Sequence, residues 1–263
     1  MKQCKSRGFK STKSNNFDVS VLMFSYRPTE SSKRWEYIRQ SLVSLRAQTG
    51  LRVQAVVLDD GSNRPLPEEW LADTDNVKVD YYYYKENRGK HVMMDCGLPM
   101  LKAPLATTLH DDDYYPYTNS LLTRYMGFID DNGEIDPSVA FVFTNARYDD
   151  EVRGHSYQLY PSDKIIEHSH SKLLQKCYIC GAAYMVPTQY LLRFRAHPSL
   201  KHAEEYDFEL QLSKHARNNQ LQFKYISDVT AVYRMHREQT WHSVRTNPRA
   251  RKSYLPFIRE RNK

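Results

Sequence analysis

Apolar and polar positions switch between two periods along the first half of the chain. Residues 19–25, "VSVLMFS", form a short apolar run closed by Tyr26, Arg27 and Pro28, which predicts a strand and a following loop. Over 33–48, Trp35, Ile38, Leu42 and Leu45 recur at the spacing of one helical face. A second strand is predicted over 51–62, stopping at Asp59, Asp60 and Gly61, and a third over 77–84 with four consecutive tyrosines. Residues 90–102 read as a helix, and 105–110 as a short strand delivering Asp111, Asp112 and Asp113. This alternation predicts parallel strands joined by right-handed crossovers. Ligands of such sheets bind beyond the carboxyl ends of the strands, so "LDDGS" and "LHDDD" are expected to converge on one crevice.

The second half is less regular. It predicts a strand near 139–144, a loop-rich stretch to 162, a helix near 163–175, a strand over 178–186, a helix near 204–217 and a strand over 231–236. The expected frame is a single domain over 18–242, preceded by a flexible basic tail at 1–17 and followed by a basic tail at 243–263.

Charge sharpens that frame. The net charge is +7, yet residues 1–16 carry +5 and residues 243–263 carry +6, which leaves the body at −4. Basic ends suit an anionic partner, either DNA or a membrane surface, although solvated chain ends carry such charge equally well. No apolar run approaches the roughly 18 residues of a membrane span. The N-terminus "MKQCKSRGFKSTKSNN" lacks the apolar core of a signal peptide. A cytoplasmic protein with its four cysteines reduced is the expectation. The 20 tyrosines suit flat or sugar-like ligands, but most are expected to fill the core.

Three carboxylates side by side repel one another, and hard oxygen ligands suit Mg²⁺ or Mn²⁺ bridging a diphosphate. A solvated polar turn is the bland alternative for Asp111–Asp113. The flanking "TTLH" and "YYP" argue against it, since they set the carboxylates between a buried strand and a structured turn. Asp59 and Asp60 precede a glycine turn and offer acceptors to a nucleobase imide or ribose hydroxyls, though Asp-Gly is also simply a good turn. His168, His170, Cys177 and Cys180 form a conceivable zinc set, but one CxxC with nearby histidines is a loose signal and 177–186 reads as a buried strand.

The ordered blocks "VSVLMFSYRP", "SLVSLRAQT", "VVLDDGS", "ENRGK", "LHDDDYYP", "CGAAYMV", "AEEYDFELQLSKH" and "YRMH" resemble family 2 glycosyltransferases over about residues 19 to 240. The resemblance implies a GT-A fold, an α/β Rossmann-like architecture with a mixed, mostly parallel sheet flanked by helices. It makes 18–116 the nucleotide-sugar half and 117–242 the acceptor half. It also implies a nucleotide-sugar donor, UDP-linked in most cases, a divalent Mn²⁺ or Mg²⁺, and one displacement that inverts the anomeric centre. Carried over residue by residue, Ser25, Tyr26 and Arg27 fall in the donor site. Asp59 and Asp60 match the uridine-binding acidic pair, and Asn87, Arg88, Gly89 and Lys90 a donor-contacting segment. Asp111, Asp112 and Asp113 match the metal motif. Arg234 and His236 match a basic segment near the metal and diphosphate, with His236 a further ligand. Glu204 and Glu205 match a Glu-Asp pair whose second carboxylate is the general base, with Asp207 the base in a shifted alignment.

This chain departs from the pattern in three places. Counting back from Pro116, the first metal position falls on His110 or on Asp111. The Glu-Asp pair is Glu-Glu, and Gln211 stands where the family often has Arg. The implied activity is a metal-dependent inverting glycosyltransferase acting on a saccharide or lipid-linked glycan. Its alternatives are a glycosyltransferase of modified bases in DNA, which the basic tails favour, and a non-catalytic nucleic-acid-binding protein. A metal-dependent nuclease leaves "LDDGS" and "YRMH" unexplained.

Overall fold

In the computed structural model, residues 7–8, 16–30, 32–161, 164–195, 197, 200, 204–239 and 248–263 are described. Four strands build the first half: β2 (Val19–Ser25), β3 (Val53–Asp60), β4 (Val77–Tyr84) and β5 (Leu105–His110). β2 lies between β3 and β5, β3 also pairs with β4, and all of these pairings are parallel. The crossovers carry helices α1 (Arg34–Arg46) and α2 (Lys90–Gly97), as the switch in period predicts. A short strand β1 (Arg7–Gly8) pairs antiparallel with β4, so part of the segment expected as a tail continues the sheet. The remainder of 1–15 lies outside the described residues.

The sheet continues past β5 through β8 (Tyr184–Pro187) and β6 (Val139–Asp150) to β7 (His155–Gln158), and β9 (Gln222–Met235) also pairs with β6. β8 is antiparallel to both neighbours, while β6 and β9 are parallel. The sheet is therefore mixed and mostly parallel in its first half. Side chains alternate across each strand. Val21 and Met23 pack with Ile38 and Leu42 of α1 on one face. Leu22 packs on the other face with Met93 of α2 and with Leu210 and Leu212 of α6 (Glu204–Asn218). Helices α3 (Ser120–Met126), α4 (His170–Gln175) and α5 (Thr188–Arg193) complete the two covering layers.

Three expectations are revised. The strand predicted over 178–186 is confined to Tyr184–Pro187. Cys177–Gly181 is a loop whose apolar composition reflects burial rather than pleating: Ile179 and Cys180 are buried there. The basic C-terminal segment contains a helix, Pro248–Asn262, here α7, whose Ile258 is fully buried in the core beside α6. Cys96 is disulfide-bonded, against the expectation of four reduced thiols, while Cys177 and Cys180 are free. Compartment arguments speak to the bulk redox poise, whereas a bond depends on two sulfurs meeting.

Candidate active site

Parallel register brings three strand ends to one level. Ser25 lies opposite Asp59, and Phe24 opposite His110. The segments 25–27, 59–61 and 110–113 therefore leave the sheet together at its carboxyl edge, the crevice expected of this architecture.

The β2–β3 side of the crevice is a buried polar network. Arg27 is fully buried; its guanidinium donates to Asp59 and to Ser25 Oγ, and stacks 4.4 Å from the Trp35 ring centroid. The Tyr81 hydroxyl donates to the same Asp59 oxygen at 2.6 Å. Burial and the Asp59 charge push the Tyr81 phenol well above its ordinary range. Asp59, itself without exposed surface, thus has its acceptors taken by protein donors. Asp60 accepts from the backbone amides of Arg88 at 2.7 Å and Gly89 at 2.8 Å. Burial raises the Asp60 carboxyl above the usual range, and those two amides partly offset the rise. The two turns approach so closely that a Cβ on Gly61, which has φ +79°, would lie 2.2 Å from the Asn87 amide nitrogen. Asp60 and Gly61 together pin the 87–90 segment over the crevice, with Asn87 and Arg88 exposed.

The β5 end holds the acidic cluster. One nitrogen of His110 and one oxygen each of Asp112 and Asp113 lie within 4.8 Å of one another. Asp113 is fully buried, and its Oδ2 has no hydrogen-bond partner. Burial, reinforced by the Asp112 charge, holds the Asp113 carboxyl far above its ordinary range. Burial opposes ionisation of Asp112 too, but the His236 hydrogen bond and the nearby His110 hold it below the usual range. An orphaned buried carboxylate oxygen facing two further ligand atoms fits a divalent cation.

The group with metal-ligand spacing shares Asp112 and Asp113 with the expected Asp111, Asp112, Asp113 and His236, and adds His110. The chain turns after His110, the Asp113 amide donating to the His110 carbonyl at 3.2 Å, and the turn directs Asp111 toward the β2–α1 side. There it accepts from the Tyr26 amide at 3.0 Å and lies 3.5 Å from Arg34 Nη1. His236 meets Asp112 at 3.0 Å and backs it rather than joining the cluster. Arg234 ties the turn to β9: its amide donates to Asp113 at 3.0 Å and its Nη1 to the Asp112 carbonyl at 2.6 Å.

On the open side of the cluster, Glu205 is ion-paired with Lys90, and its carboxylate lies 3.1 Å from His110 Nε2. Packing against the core favours a raised Glu205 proton affinity. Burial does push that way, but Lys90 and His110 overcome it and hold the carboxyl well below the usual range. Glu204, largely buried, also acts electrostatically on Lys90. Asp207, the base in the shifted alignment, lies away from the cluster with its oxygens already engaged. It stands two residues further round α6, fully buried, and accepts from Arg261, from Asn262 Nδ2 at 2.8 Å and from the His197 amide at 3.0 Å.

The profile of glycosyl transferase family 2 matches residues 20–200, which takes in β2, β3, β5 and the whole acidic turn. The chain belongs to glycosyl transferase family 2. An uncharacterized glycosyltransferase of Rickettsia prowazekii is 33% identical over 86 residues, covering 30% of this chain and 24% of that protein. A second, from Rickettsia felis, is 34% identical over 86 residues, covering 30% of this chain and 13% of its own length. The chain thus spans a quarter or less of these curated relatives. Among solved structures, Staphylococcus aureus TarS 1–349 in complex with UDP-GlcNAc aligns with a TM-score of 0.59 at 17% identity, over 84% of this chain and 60% of that one. Mannosyltransferase PcManGT from Pyrobaculum calidifontis, in complex with GDP-Man and Mn²⁺, aligns with a TM-score of 0.60 at 15% identity, over 88% and 60%. At such identities the likeness is one of fold, and it is the GT-A fold.

Within this family 2 chain, several residues shape the crevice without a sequence signal. Arg34 and Tyr37 lie on the crevice-facing side of α1; the Tyr37 ring packs 4.7 Å from His236, and the Arg234 guanidinium lies 4.3 Å from the same ring. The Gly181 loop lies directly against Glu205, where a Cβ would make ordinary contact with the Glu205 Cγ at 3.5 Å. The zinc alternative falls away. His168 bonds Ser213 and Tyr178, and His170 bonds Ser213 and the Asn262 carbonyl. Among the described residues, His110, Asp112 and Asp113 are the group with metal-ligand spacing.

Proposed function

We propose that this chain transfers a sugar from a nucleotide-sugar, UDP-linked, to an acceptor hydroxyl with inversion, using a divalent cation. The observation that carries the reading is the buried Asp113 Oδ2, without a hydrogen-bond partner, facing His110 and Asp112 at the carboxyl edge of parallel strands, with Glu205 alongside. The fold neighbours crystallised with UDP-GlcNAc and with GDP-Man and Mn²⁺ support a nucleotide-sugar.

His110, Asp112 and Asp113 would hold the cation, and the imidazole favours Mn²⁺ over the all-oxygen preference of Mg²⁺. Bound there, the cation neutralises charge developing on a diphosphate leaving group. Asp60 accepts from the amides of Arg88 and Gly89 and so fixes the 87–90 segment beside the donor. Arg88 and Lys90 add positive charge on the same side. A sugar hydroxyl is a poor nucleophile and needs its proton removed during attack. Glu205 takes that proton, being within hydrogen-bond distance of a residue of the cluster itself.

The test is turnover of UDP- and GDP-sugars with Mn²⁺, followed by NMR of the anomeric centre. Glu205→Gln keeps the shape and removes the proton acceptor. Transfer falls by on the order of 10²-fold or more while donor affinity is kept. Unchanged transfer by this variant refutes Glu205 as the base, and a retained anomeric configuration refutes the single displacement.

A further inference from the structure

A row of tyrosines crosses the sheet beside the crevice. Tyr148 of β6 is the direct cross-strand partner of Tyr157 on β7 and of Tyr233 on β9. The Tyr148 and Tyr157 rings stack at 5.4 Å, and Tyr148 meets Tyr233 at 5.1 Å. His155, two residues before Tyr157 and so on the same face, stacks on it at 5.5 Å.

The two ends of the row differ. Tyr148 and Tyr233 pack against Ala146, Cys180 and Ala183. Tyr233 directly precedes Arg234, whose amide donates to Asp113 at 3.0 Å, so this end of the row lies beside the acidic cluster. At the other end β7 is exposed at every position, and Tyr157 is 42% exposed. The row therefore runs from the candidate metal ligands to solvent, on the half of the domain opposite the 59–61 and 87–90 turns.

Charge narrows what the exposed end can take. Arg147 is neutralised by Asp149 at 3.0 Å, Arg153 by Asp150 at 3.8 Å, and Glu151 by Arg234 at 3.3 Å. A polyanion meets no unbalanced cation on this hairpin. A neutral sugar ring meets what it needs, an aromatic surface for its C–H face.

We propose that the Tyr233–Tyr148–Tyr157–His155 row is the acceptor platform and that the acceptor is a neutral saccharide. The assignment rests on the glycosyltransferase reading above.

The test uses the full chain and a panel of neutral oligosaccharides of glucose, N-acetylglucosamine, galactose and mannose, with short single-stranded DNA as a separate arm. Binding is followed by saturation-transfer NMR and by titration. UDP with Mn²⁺ is titrated in parallel. At least one saccharide binds. Tyr157→Ala weakens it about tenfold, the size expected for one lost stacking contact, while Tyr157→Phe stays within about twofold. UDP binding is unchanged in both variants. Because Tyr157 is exposed, both variants are expected to fold. Saccharide binding that is equal in wild type and Tyr157→Ala overturns the platform. Binding of DNA alone, or of no member of the panel, overturns the neutral-saccharide assignment. Saccharide binding that depends on Tyr157 in a chain that binds no UDP with Mn²⁺ overturns the acceptor role and the glycosyltransferase reading together. The loss of UDP binding marks that case apart from failure of the platform alone.

Discussion

Breaking the buried Arg27–Asp59 pair is the sharpest perturbation of the crevice's internal support. Neither side chain has exposed surface. Arg27→Met removes the charge and most of the donors while keeping much of the volume. It leaves Asp59 with the Tyr81 hydroxyl at 2.6 Å and the Ser62 amide at 3.3 Å, and no cation. Removing one partner of a buried ion pair costs about 3–5 kcal/mol, because the other charge is stranded. That is a large fraction of a total stability of roughly 5–15 kcal/mol. At about 2–4 °C per kcal/mol for a chain near this size, the melting temperature falls by roughly 6–20 °C. Asp59→Asn strands Arg27 in turn, with the Ser25 hydroxyl and the Arg64 carbonyl left as acceptors. Urea unfolding followed by circular dichroism, on wild type, both single variants and the double variant, gives the coupling directly. The double variant should lose about 2 kcal/mol or more less than the two single losses together, since no lone charge remains. Single losses that add to within about 0.5 kcal/mol would show that the two groups do not act as a pair.

Two further outcomes concern stability away from the crevice. Ile258→Ala, at a fully buried position of α7, lowers unfolding free energy by about 2–5 kcal/mol and leaves UDP affinity of the folded fraction unchanged. A near-neutral effect in the same urea assay would mean that α7 is not docked. His168, stacked 3.9 Å from Phe223, is held down to about pKa 4, first by burial and then by His170, which burial shifts the same way. Its neutral form is favoured on folding while the unfolded imidazole takes a proton near its ordinary pKa. That contribution is therefore complete above about pH 6.5 and is lost as pH falls toward 4, reaching at most about 3 kcal/mol. His168→Phe removes much of that slope; a stability curve equally steep in wild type and variant would refute the assignment.

Strands with a continuous apolar run were legible to the residue. Val19–Ser25, Val77–Tyr84 and Leu105–His110 begin and end where the pattern does. The β2 and β5 runs are buried along nearly their whole length, which leaves the edges sharp. The loop at 177–181 has the same composition for a different reason, burial under Glu205, and composition alone does not separate the two cases. The C-terminal helix was hidden by its five basic residues and by Pro256, because its docking depends on Ile258, Arg261 and Asn262 meeting α6. At the site, the acidic turn was visible, yet its ligand parity was not. The offset between His110 and Asp111 is decided by which way the last residue of β5 points. The Lys90–Glu205 pair joins positions 115 residues apart, so only folding brings it into view.

The central claim is that the buried carboxylates at the end of β5 bind a cation that the donor diphosphate requires. Isothermal titration of UDP, with and without Mn²⁺, on wild type and Asp113→Asn tests it most directly. The account predicts that Mn²⁺ tightens UDP binding to wild type by about tenfold or more, the worth of roughly 1.4 kcal/mol. It also predicts that Asp113→Asn, still folded by circular dichroism, loses that gain. UDP affinity that is the same with and without Mn²⁺ in wild type would contradict it.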